Sequence, residues 1–191
     1  MILTRKDLKE YIAADALACG RESVRPKLYM DLVWKFQVAL RKKEYYKNQR
    51  GLKKLLLLPL AILACYRCDS LGVKLGFSIA CNVFDKGLSI AHYGNLAVNG
   101  TSVVGRNCRI HEGVTIGSTN GSPGPKLGSN VFIGSGAKII GDITIADDVA
   151  IGANAVVVKS ISEPGTTWGG VPARKLSDKD SHSNLNPRLF L

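Results

Sequence analysis

Three histidines, His92, His111 and His182, are the side chains of this 191-residue chain best suited to moving a proton near neutral pH. An imidazole can act as a general base toward a hydroxyl or, when neutral, can bind a metal ion. His111 is followed by Glu112, whose carboxylate could orient an imidazole or contact a substrate. His182 lies in a polar C-terminal stretch and is the least suited of the three to catalysis.

A large aliphatic residue recurs every six residues, with one interruption, through most of the second half of the chain. This period matches neither the 3.6 of a helix nor the 2 of an ordinary strand and therefore predicts a repeat architecture. Each hexad would supply one short strand and one corner, with Gly or Asn near the corner permitting the tight turn. Three hexads would close a triangular coil, and stacked coils would bury an aliphatic column. The residues on this period are Val98, Val104, Ile110, Ile116, Leu127, Ile133, Ile139, Ile145, Ile151 and Val157.

His92 and His111 occupy different places on this period. His92 lies on it, six residues before Val98. An imidazole inside an aliphatic column is costly unless it is hydrogen-bonded, so we expect His92 to face a cleft or sit at a coil corner. His111 directly follows the inward Ile110 and should point outward. A surface or interface histidine and a substrate-binding or alternative basic residue both fit that place.

Three sequence blocks extend the repeat into a recognisable pattern. The blocks GLSIAHYG (87–94), IHEGVTIG (110–117) and GGVPARKL (169–176), together with the hexads, resemble the hexapeptide-repeat acyltransferases, most closely their serine acetyltransferase-like branch. The resemblance covers about residues 77–176. It implies a mainly β chain that folds as a left-handed parallel β-helix, preceded here by an α-helical segment. It also implies a homotrimer, acetyl-CoA as cosubstrate and no required metal.

The same resemblance assigns residues to roles. It places His92 as the catalytic base that deprotonates an acceptor hydroxyl, with His111 and Glu112 as candidate acceptor contacts. In the family, the pantetheine arm of CoA lies in a groove between two β-helices of a trimer, and small residues line that groove. Lys159 and Arg174 would meet the CoA phosphates, although Lys159 could also be a solvated charge. Trp168 could stack on the adenine or pack at the trimer seam. The matching cofactor positions are Ser135, Ala137, Ala153, Val158, Lys159 and Arg174.

Two departures from the family pattern concern the acceptor. The family carries an acidic residue immediately before the catalytic histidine, where this chain has Ala91. It also carries a His-Pro pair in the extended loop, where this chain has Gly124-Pro125. Both family features help to hold serine, and the helical segment is shorter than is typical of biosynthetic serine acetyltransferases. The acceptor is therefore left open between L-serine and a sugar hydroxyl in polysaccharide biosynthesis.

Two other functions compete with acetyl transfer. One is a non-catalytic hexapeptide-repeat scaffold, against which the blocks around His92 and Pro172 argue. The other is a γ-carbonic-anhydrase-like metalloenzyme, which would need three histidines at a subunit boundary and hence His182. Both are retained as alternatives.

Charge and composition divide the chain into three parts. Of the net charge of +11, +9 lies in residues 1–76, which form a basic α-helical region. Residues 77–176 form the predicted β-helix domain, with an exposed loop at 118–126 rich in Gly, Ser, Asn and Pro. Residues 177–191 are predicted to be a polar tail. No nucleic-acid motif accompanies the basic charge, so small phosphorylated molecules or an anionic membrane are the expected partners.

The N-terminal region is predicted to contain helices. Thr4 is a candidate N-cap, a second helix is expected over Pro26 to Tyr46, and Pro59 should kink a third. The longest apolar run, at 55–66, is too short to span a bilayer. Two interpretations fit this apolar run. One is a helix at a subunit or domain interface, and the other is an amphipathic segment that contacts a membrane through 52–67.

The cellular location is indicated by the cysteines and by the N-terminal sequence. The chain opens without a secretory signal pattern, and an odd number of cysteines favours free thiols. Cys65 and Cys68 form a lone CxxC with no further metal ligands near in sequence. The expected location is the cytoplasm, with the inner membrane face as an option.

Overall fold

A computed structural model describes all residues, 1–191. Residues 77–177 wind through stacked three-sided coils whose short strands pair in parallel, except for an antiparallel last pair. The fold is a left-handed parallel β-helix with an N-terminal helical segment, as expected. The strands are β1 Phe77–Ile79, β2 Ser89–Ile90, β3 Leu96–Val98, β4 Val103–Val104, β5 Arg109–Ile110, β6 Thr115–Gly117, β7 Lys126–Leu127, β8 Phe132–Ile133, β9 Lys138–Ile140, β10 Thr144–Ile145, β11 Ala150–Ile151, β12 Val156–Val157, β13 Thr167–Gly169 and β14 Arg174–Ser177.

The three faces of the coil are three sheets. One contains β1, β3, β6, β9 and β12, a second contains β4, β7 and β10, and the third contains β2, β5, β8, β11, β13 and β14. The register places Ile133 beside Ile110 on one side and Ile151 on the other, so the aliphatic residues of successive coils stack directly. β2 is the last strand of the third sheet, and its far edge has no strand neighbour.

The predicted aliphatic column is confirmed. All ten residues on the six-residue period are buried, none more than 6% exposed. A second inward set lies two residues before the first and was not predicted. Because strand side chains alternate, residues i and i−2 point to the same face, and both reach the interior of the narrow coil. The second set includes Cys108, Val114, Val131, Ala137, Ile143, Val149 and Ala155.

The prediction that Gly or Asn turns the corners is confirmed, but the glycine that follows the aliphatic residue has a different role. The left-handed residue of a corner lies three positions before the inward aliphatic residue, and it is commonly Asn, as at Asn107 and Asn130 with φ of 58° and 56°. The glycine that follows the aliphatic residue has no positive φ at Gly105. A Cβ on Gly105 would instead meet the carbonyl carbon of Gly128 at 2.6 Å. This glycine is needed for close stacking of coils, not for turning the chain.

Four helices precede the coils. They are α1 Arg5–Ala18, α2 Leu32–Lys47, α3 Gly51–Leu56 and α4 Leu58–Leu75. Thr4 caps α1 as predicted, in a reciprocal capping box with Asp7. The predicted start of α2 at Pro26 was wrong, because Asp31 adopts a left-handed conformation and its carboxylate binds Arg21 and the backbone N–H of Lys27. The segment before α2 is therefore a loop tied to the end of α1.

Pro59 begins a helix instead of kinking one. It lies within the first turn of α4, where the missing proline N–H costs no helical hydrogen bond. The break at Leu57 separates α3 from α4. Many side chains of this pair are exposed: Leu52, Leu55, Leu56, Leu58, Leu60, Ile62, Leu63 and Tyr66. No helix of the chain combines the length and the apolar character that crossing a bilayer would require.

The loop and the C-terminal segment both contact the coils. Residues 119–121 of the loop are exposed, but Gly124 and Pro125 are buried where the chain returns to β7. Residues 177–191 contain two short 3₁₀ helices, His182–Asn184 and Pro187–Leu189. Ser181 and Leu185 are buried, and Asn186 donates a hydrogen bond to Leu17 O of α1. The C-terminal segment therefore bridges the coils and the first helix.

All five cysteines are free thiols, as predicted. Cys68 and Cys108 are buried, and burial raises the pKa of each thiol to about 12. Such thiols are unreactive and serve as small apolar side chains.

Candidate active site

His92 and His111 leave the ends of two neighbouring strands on the same face. His92 follows β2 by two residues and His111 follows β5 by one, and Ile90 pairs with Ile110. The centroids of the two imidazole rings are 5.5 Å apart in an edge-to-face arrangement. His92 is exposed at a coil corner, and no other side chain is hydrogen-bonded to its ring. It therefore lies outside the aliphatic column, as the sequence predicted.

His111 is held more firmly than His92. Its ring packs edge-on against Phe132 at 5.2 Å, and its Nδ1 lies 3.4 Å from the hydroxyl of Ser135. Burial, followed by the nearby charge of Arg109, lowers the pKa of His111 below the ordinary value for histidine. His111 is therefore neutral at pH 7 and can accept a proton or bind a cation.

Glu112 completes the group. A hydrogen bond from Ser135, together with backbone hydrogen bonding, lowers the pKa of the Glu112 carboxyl, so the side chain is ionised at neutral pH. Its Oε2 is inaccessible to solvent and has no hydrogen-bond partner. One nitrogen each of His92 and His111 and one oxygen of Glu112 lie within 4.8 Å of one another.

Two buried helix residues hold the strand that leads to His92, and sequence reasoning missed both. The amide of Gln37 in α2 donates to Leu88 O at 2.8 Å and accepts from Ile90 N at 3.2 Å. Asp15 in α1 accepts from the N–H groups of Gly87 and Leu88 at 2.8 and 2.9 Å. Together they satisfy the free edge of β2, where another strand would otherwise pair.

Arg41 anchors the same helices to the coil. It is fully buried, binds Asp15 and Glu44, and donates to the carbonyl oxygens of Phe84 and Asp85. Burial alone would lower the pKa of Arg41. The carboxylates of Asp15 and Glu44 have a larger effect, and the pKa of Arg41 is raised. Arg41 opens a run of charged residues at 41–44 in α2, so nothing in the sequence marks it as a buried anchor.

A cavity of about 370 Å³ lies beside the backbone that carries His92, although His92 itself does not line it. Its wall includes both chain neighbours of His92, Ala91 and Tyr93. Arg21 forms a bidentate ion pair with Asp31 and lies 5.0 Å above the ring of Trp34. The Nε of Arg21 is buried without a partner. A polar ligand in this cavity could satisfy that donor.

The loop of this chain leaves no room for a larger residue at position 124. A Cβ on Gly124 would meet Ser102 Oγ at 2.3 Å and Ser102 N at 2.9 Å. Its N–H donates to Thr101 Oγ1. The histidine that the resemblance would place before Pro125 therefore does not fit this coil.

The candidate cofactor residues fall into two groups. Val158, Lys159, Trp168 and Arg174 line one small cavity of about 130 Å³ at the last coil, which brings both predicted phosphate contacts together. Ser135 lies beside His111, and Ala153 is exposed. The prediction for Ala137 needs correction, because this residue has no exposed surface and its side chain belongs to the aliphatic column.

His182 lies apart from the other two histidines. Its Nε2 is 2.8 Å from Asp148, its Nδ1 is 3.5 Å from Asp180, and its ring stacks on Phe190. The three-histidine metal site required by the carbonic-anhydrase alternative is therefore not assembled within this chain.

Stacked hexad coils of this kind are the architecture of the hexapeptide-repeat transferases. The model of the bacterial transferase hexapeptide family (six repeats) matches residues 124–159. Over 155 residues the chain is 32% identical to a serine acetyltransferase of Helicobacter pylori, covering 80% of this chain and 82% of that relative. The chain belongs to the serine acetyltransferase family.

Solved structures of serine acetyltransferases also resemble this chain. A soybean serine acetyltransferase complexed with serine matches with a TM-score of 0.69 and 27% identity, over 90% of this chain and 70% of that chain. A serine acetyltransferase from Brucella abortus in complex with coenzyme A matches with a TM-score of 0.61 and 27% identity, over 91% of this chain and 68% of that chain.

Proposed function

We propose that this protein transfers an acetyl group from acetyl-CoA to a hydroxyl acceptor, with His92 as the general base. The observation that carries the proposal is the exposed imidazole of His92 beside His111 and Glu112, in a chain of the serine acetyltransferase family. Relatives of this fold have been crystallised with coenzyme A and with serine.

The reaction needs one proton transfer and one stabilised oxyanion. The imidazole of His92 takes the proton as the acceptor oxygen attacks the thioester carbonyl. Backbone N–H groups stabilise the negative oxygen of the tetrahedral intermediate. Collapse of the intermediate releases the CoA thiolate and the acetyl ester. No metal takes part in these steps.

We infer that acetyl-CoA lies along the β-helix from the His92 corner toward the last coil. The cavity around Val158, Lys159, Trp168 and Arg174 suits the nucleotide end, because two cations adjoin an aromatic ring there. Ser135 and Ala153 lie on the coils between this cavity and His92. The groove is completed by a neighbouring β-helix, which makes the active protein a homotrimer.

We propose L-serine as the first acceptor to test, in keeping with the names of the relatives. A sugar hydroxyl, as in polysaccharide O-acetylation, is the second candidate. Two observations favour it: Ala91 supplies no carboxylate beside His92, and the coil has no room for a histidine at position 124. The acceptor would enter the cavity lined by Ala91 and Tyr93.

A thiol-release assay separates these acceptors. Purified protein and acetyl-CoA are incubated with L-serine, with a panel of free sugars and with nucleotide sugars, and CoA release is followed against a no-acceptor control. Release that depends on one of these hydroxyl compounds supports the proposal and identifies the acceptor class. Absence of release with every acceptor, in protein that binds CoA, would count against the proposed activity.

We propose a cytoplasmic location, with the exposed apolar side chains of α3 and α4 covered by another surface. Lys53 and Lys54 lie among these leucines, so a neighbouring subunit and an anionic membrane face are the two candidate surfaces.

A further inference from the structure

Three ligand-type side chains converge where the proposed mechanism uses only one. His92, His111 and Glu112 bring two ring nitrogens and a carboxylate oxygen within 4.8 Å of one another. This cluster is the sole group of three or more such residues in the chain with that spacing. A mixed nitrogen and oxygen donor set of this kind is typical of Zn²⁺ sites.

The backbone beneath the cluster is fixed. β2 and β5 are paired, and β5 is paired with β8 on its other side. His111 is held by Phe132 and by the contact of Ser135 with Nδ1, which leaves its Nε2 without a hydrogen-bond partner. A serine hydroxyl on one nitrogen of a histidine is the type of outer contact that orients metal-binding imidazoles.

The distances need only side-chain rotation to fit a metal ion. With zinc–ligand bonds of about 2.0–2.1 Å, ligand atoms around a tetrahedral ion are roughly 3.4 Å apart. Closing the present group to that spacing requires movements of about 1 Å. His92 is exposed and no side chain is hydrogen-bonded to its ring, so the ring can rotate beside His111.

The carboxylate gives an independent reason for a cation. Glu112 Oε2 is inaccessible to solvent and accepts no hydrogen bond, and a buried polar atom of this kind is normally satisfied by a partner. Arg109, the arginine of β5, donates to Ser89 Oγ at 3.5 Å and does not form an ion pair with Glu112. A divalent cation between the imidazoles would satisfy this oxygen.

We propose that His92, His111 and Glu112 form a binding site for Zn²⁺ or a similar divalent transition-metal ion, and that the bound ion inhibits the enzyme. The ion would be coordinated by the nitrogen lone pair with which His92 accepts a proton. With the ion bound, His92 could therefore not act as a base. The inhibitory consequence rests on the proposed acetyl transfer, whereas the binding site does not. A water molecule or an acceptor group would take the fourth coordination position.

Cobalt binding tests the site without any assay of activity. Co²⁺ is titrated into the full chain, and the visible absorption of four-coordinate cobalt is followed, with Zn²⁺ used for displacement. One equivalent per chain is expected. His92→Ala, His111→Ala and Glu112→Gln should each weaken binding by about tenfold or more. Circular dichroism on each variant establishes that it folds.

His182→Ala is the matched control. It removes the third histidine, whose partners are Asp148 and Asp180, and should leave the cobalt spectrum unchanged. Loss of binding in His182→Ala with retention in His111→Ala would overturn the proposal. A thiolate-to-cobalt charge-transfer band in the near ultraviolet would also overturn it, because it would assign the ion to cysteines.

Inhibition is measured separately. Zn²⁺ should suppress acetyl transfer reversibly, with activity restored by a chelator. If cobalt binds at the three residues but no acceptor is acetylated, the proposed function fails and the site stands. If acetyl transfer proceeds and zinc neither binds nor inhibits, the metal proposal fails alone.

Discussion

The imidazole of His92, the proposed general base, is positioned by residues that are distant in sequence. The imidazole itself is exposed and forms no side-chain hydrogen bond, while the strand before it is held by Gln37 and Asp15. The sequence predicted which histidine leaves the column, because the six-residue period marks that place. It did not predict what holds the strand, since a glutamine in a helix carries no sign of the backbone that it will meet in space.

Replacing Gln37 by leucine should impair turnover more than cofactor binding. The change leaves Ile90 N without a partner and Leu88 O with only the thiol of Cys19 at 3.8 Å. The unfolding free energy should fall by about 2–4 kcal/mol. We expect kcat to fall by about tenfold or more, because a misplacement of about 1 Å at the base is costly, while KM for acetyl-CoA changes little. Steady-state kinetics and urea unfolding provide the measurements.

Val38→Ala is the control for Gln37→Leu. Val38 is buried on the same helix but packs with Ala16 and Trp34, in a cluster separate from the core that contains Ile90 of β2. It should lower stability while leaving kcat close to the wild-type value. An equal loss of kcat in both variants would show that Gln37 acts through stability alone.

Lys159 and Arg174 should bind the phosphates of CoA. Replacing either by alanine removes a charge-assisted contact and should weaken CoA binding by about tenfold, corresponding to roughly 1.5 kcal/mol. Calorimetry with CoA and with pantetheine, which lacks the nucleotide phosphates, provides the comparison. A similar loss for both compounds would exclude a phosphate contact.

At the scale of the coil, sequence and structure agree on the aliphatic column and on Gly or Asn at the corners, and the structure adds a second role for glycine. The aliphatic period alone located ten buried side chains. The period could not show whether a glycine is needed for a left-handed turn or for close stacking of coils, because both requirements favour glycine within the same short hexad. The structure separates them: Asn107 turns the chain, and Gly105 lies against the next coil.

Two glycines at equivalent places in the hexad test this distinction. Gly105→Ala would push a Cβ to 2.6 Å from the Gly128 backbone and should cost about 1–3 kcal/mol of stability. At Gly152 the nearest atom, Trp168 O, lies 3.4 Å from the added Cβ, so Gly152→Ala should be close to neutral. Thermal unfolding of both variants is the measurement, and equal effects would refute the stacking role.

The whole molecule presents surfaces that a single chain leaves uncovered. Apolar side chains of α3 and α4 and the cofactor candidates Ala153 and Val158 are exposed. The sequence showed the amphipathic run in α3 and α4. It did not show which surface covers this run, because the pattern of one chain does not reveal where a partner surface lies. The helical segment, through Arg41, also fixes the coil beneath His92.

Assembly has a direct physical test. If the groove for CoA lies between two β-helices, sedimentation equilibrium of the purified protein should give three times the 20.5 kDa mass of one chain. The trimer should persist at high ionic strength, because its contacts would be mainly apolar. A monomer that turns over acetyl-CoA at full rate would contradict the inter-subunit groove.

The most direct test of the account is acetyl transfer by His92→Ala measured beside its affinity for CoA. Because the imidazole is exposed and forms no hydrogen bond with another side chain, its removal should leave the fold and CoA binding intact. Turnover with the identified acceptor should fall by about a hundredfold or more, the usual contribution of a general base. Wild-type turnover in that variant, with acetyl-CoA and acceptor saturating, would contradict the central claim.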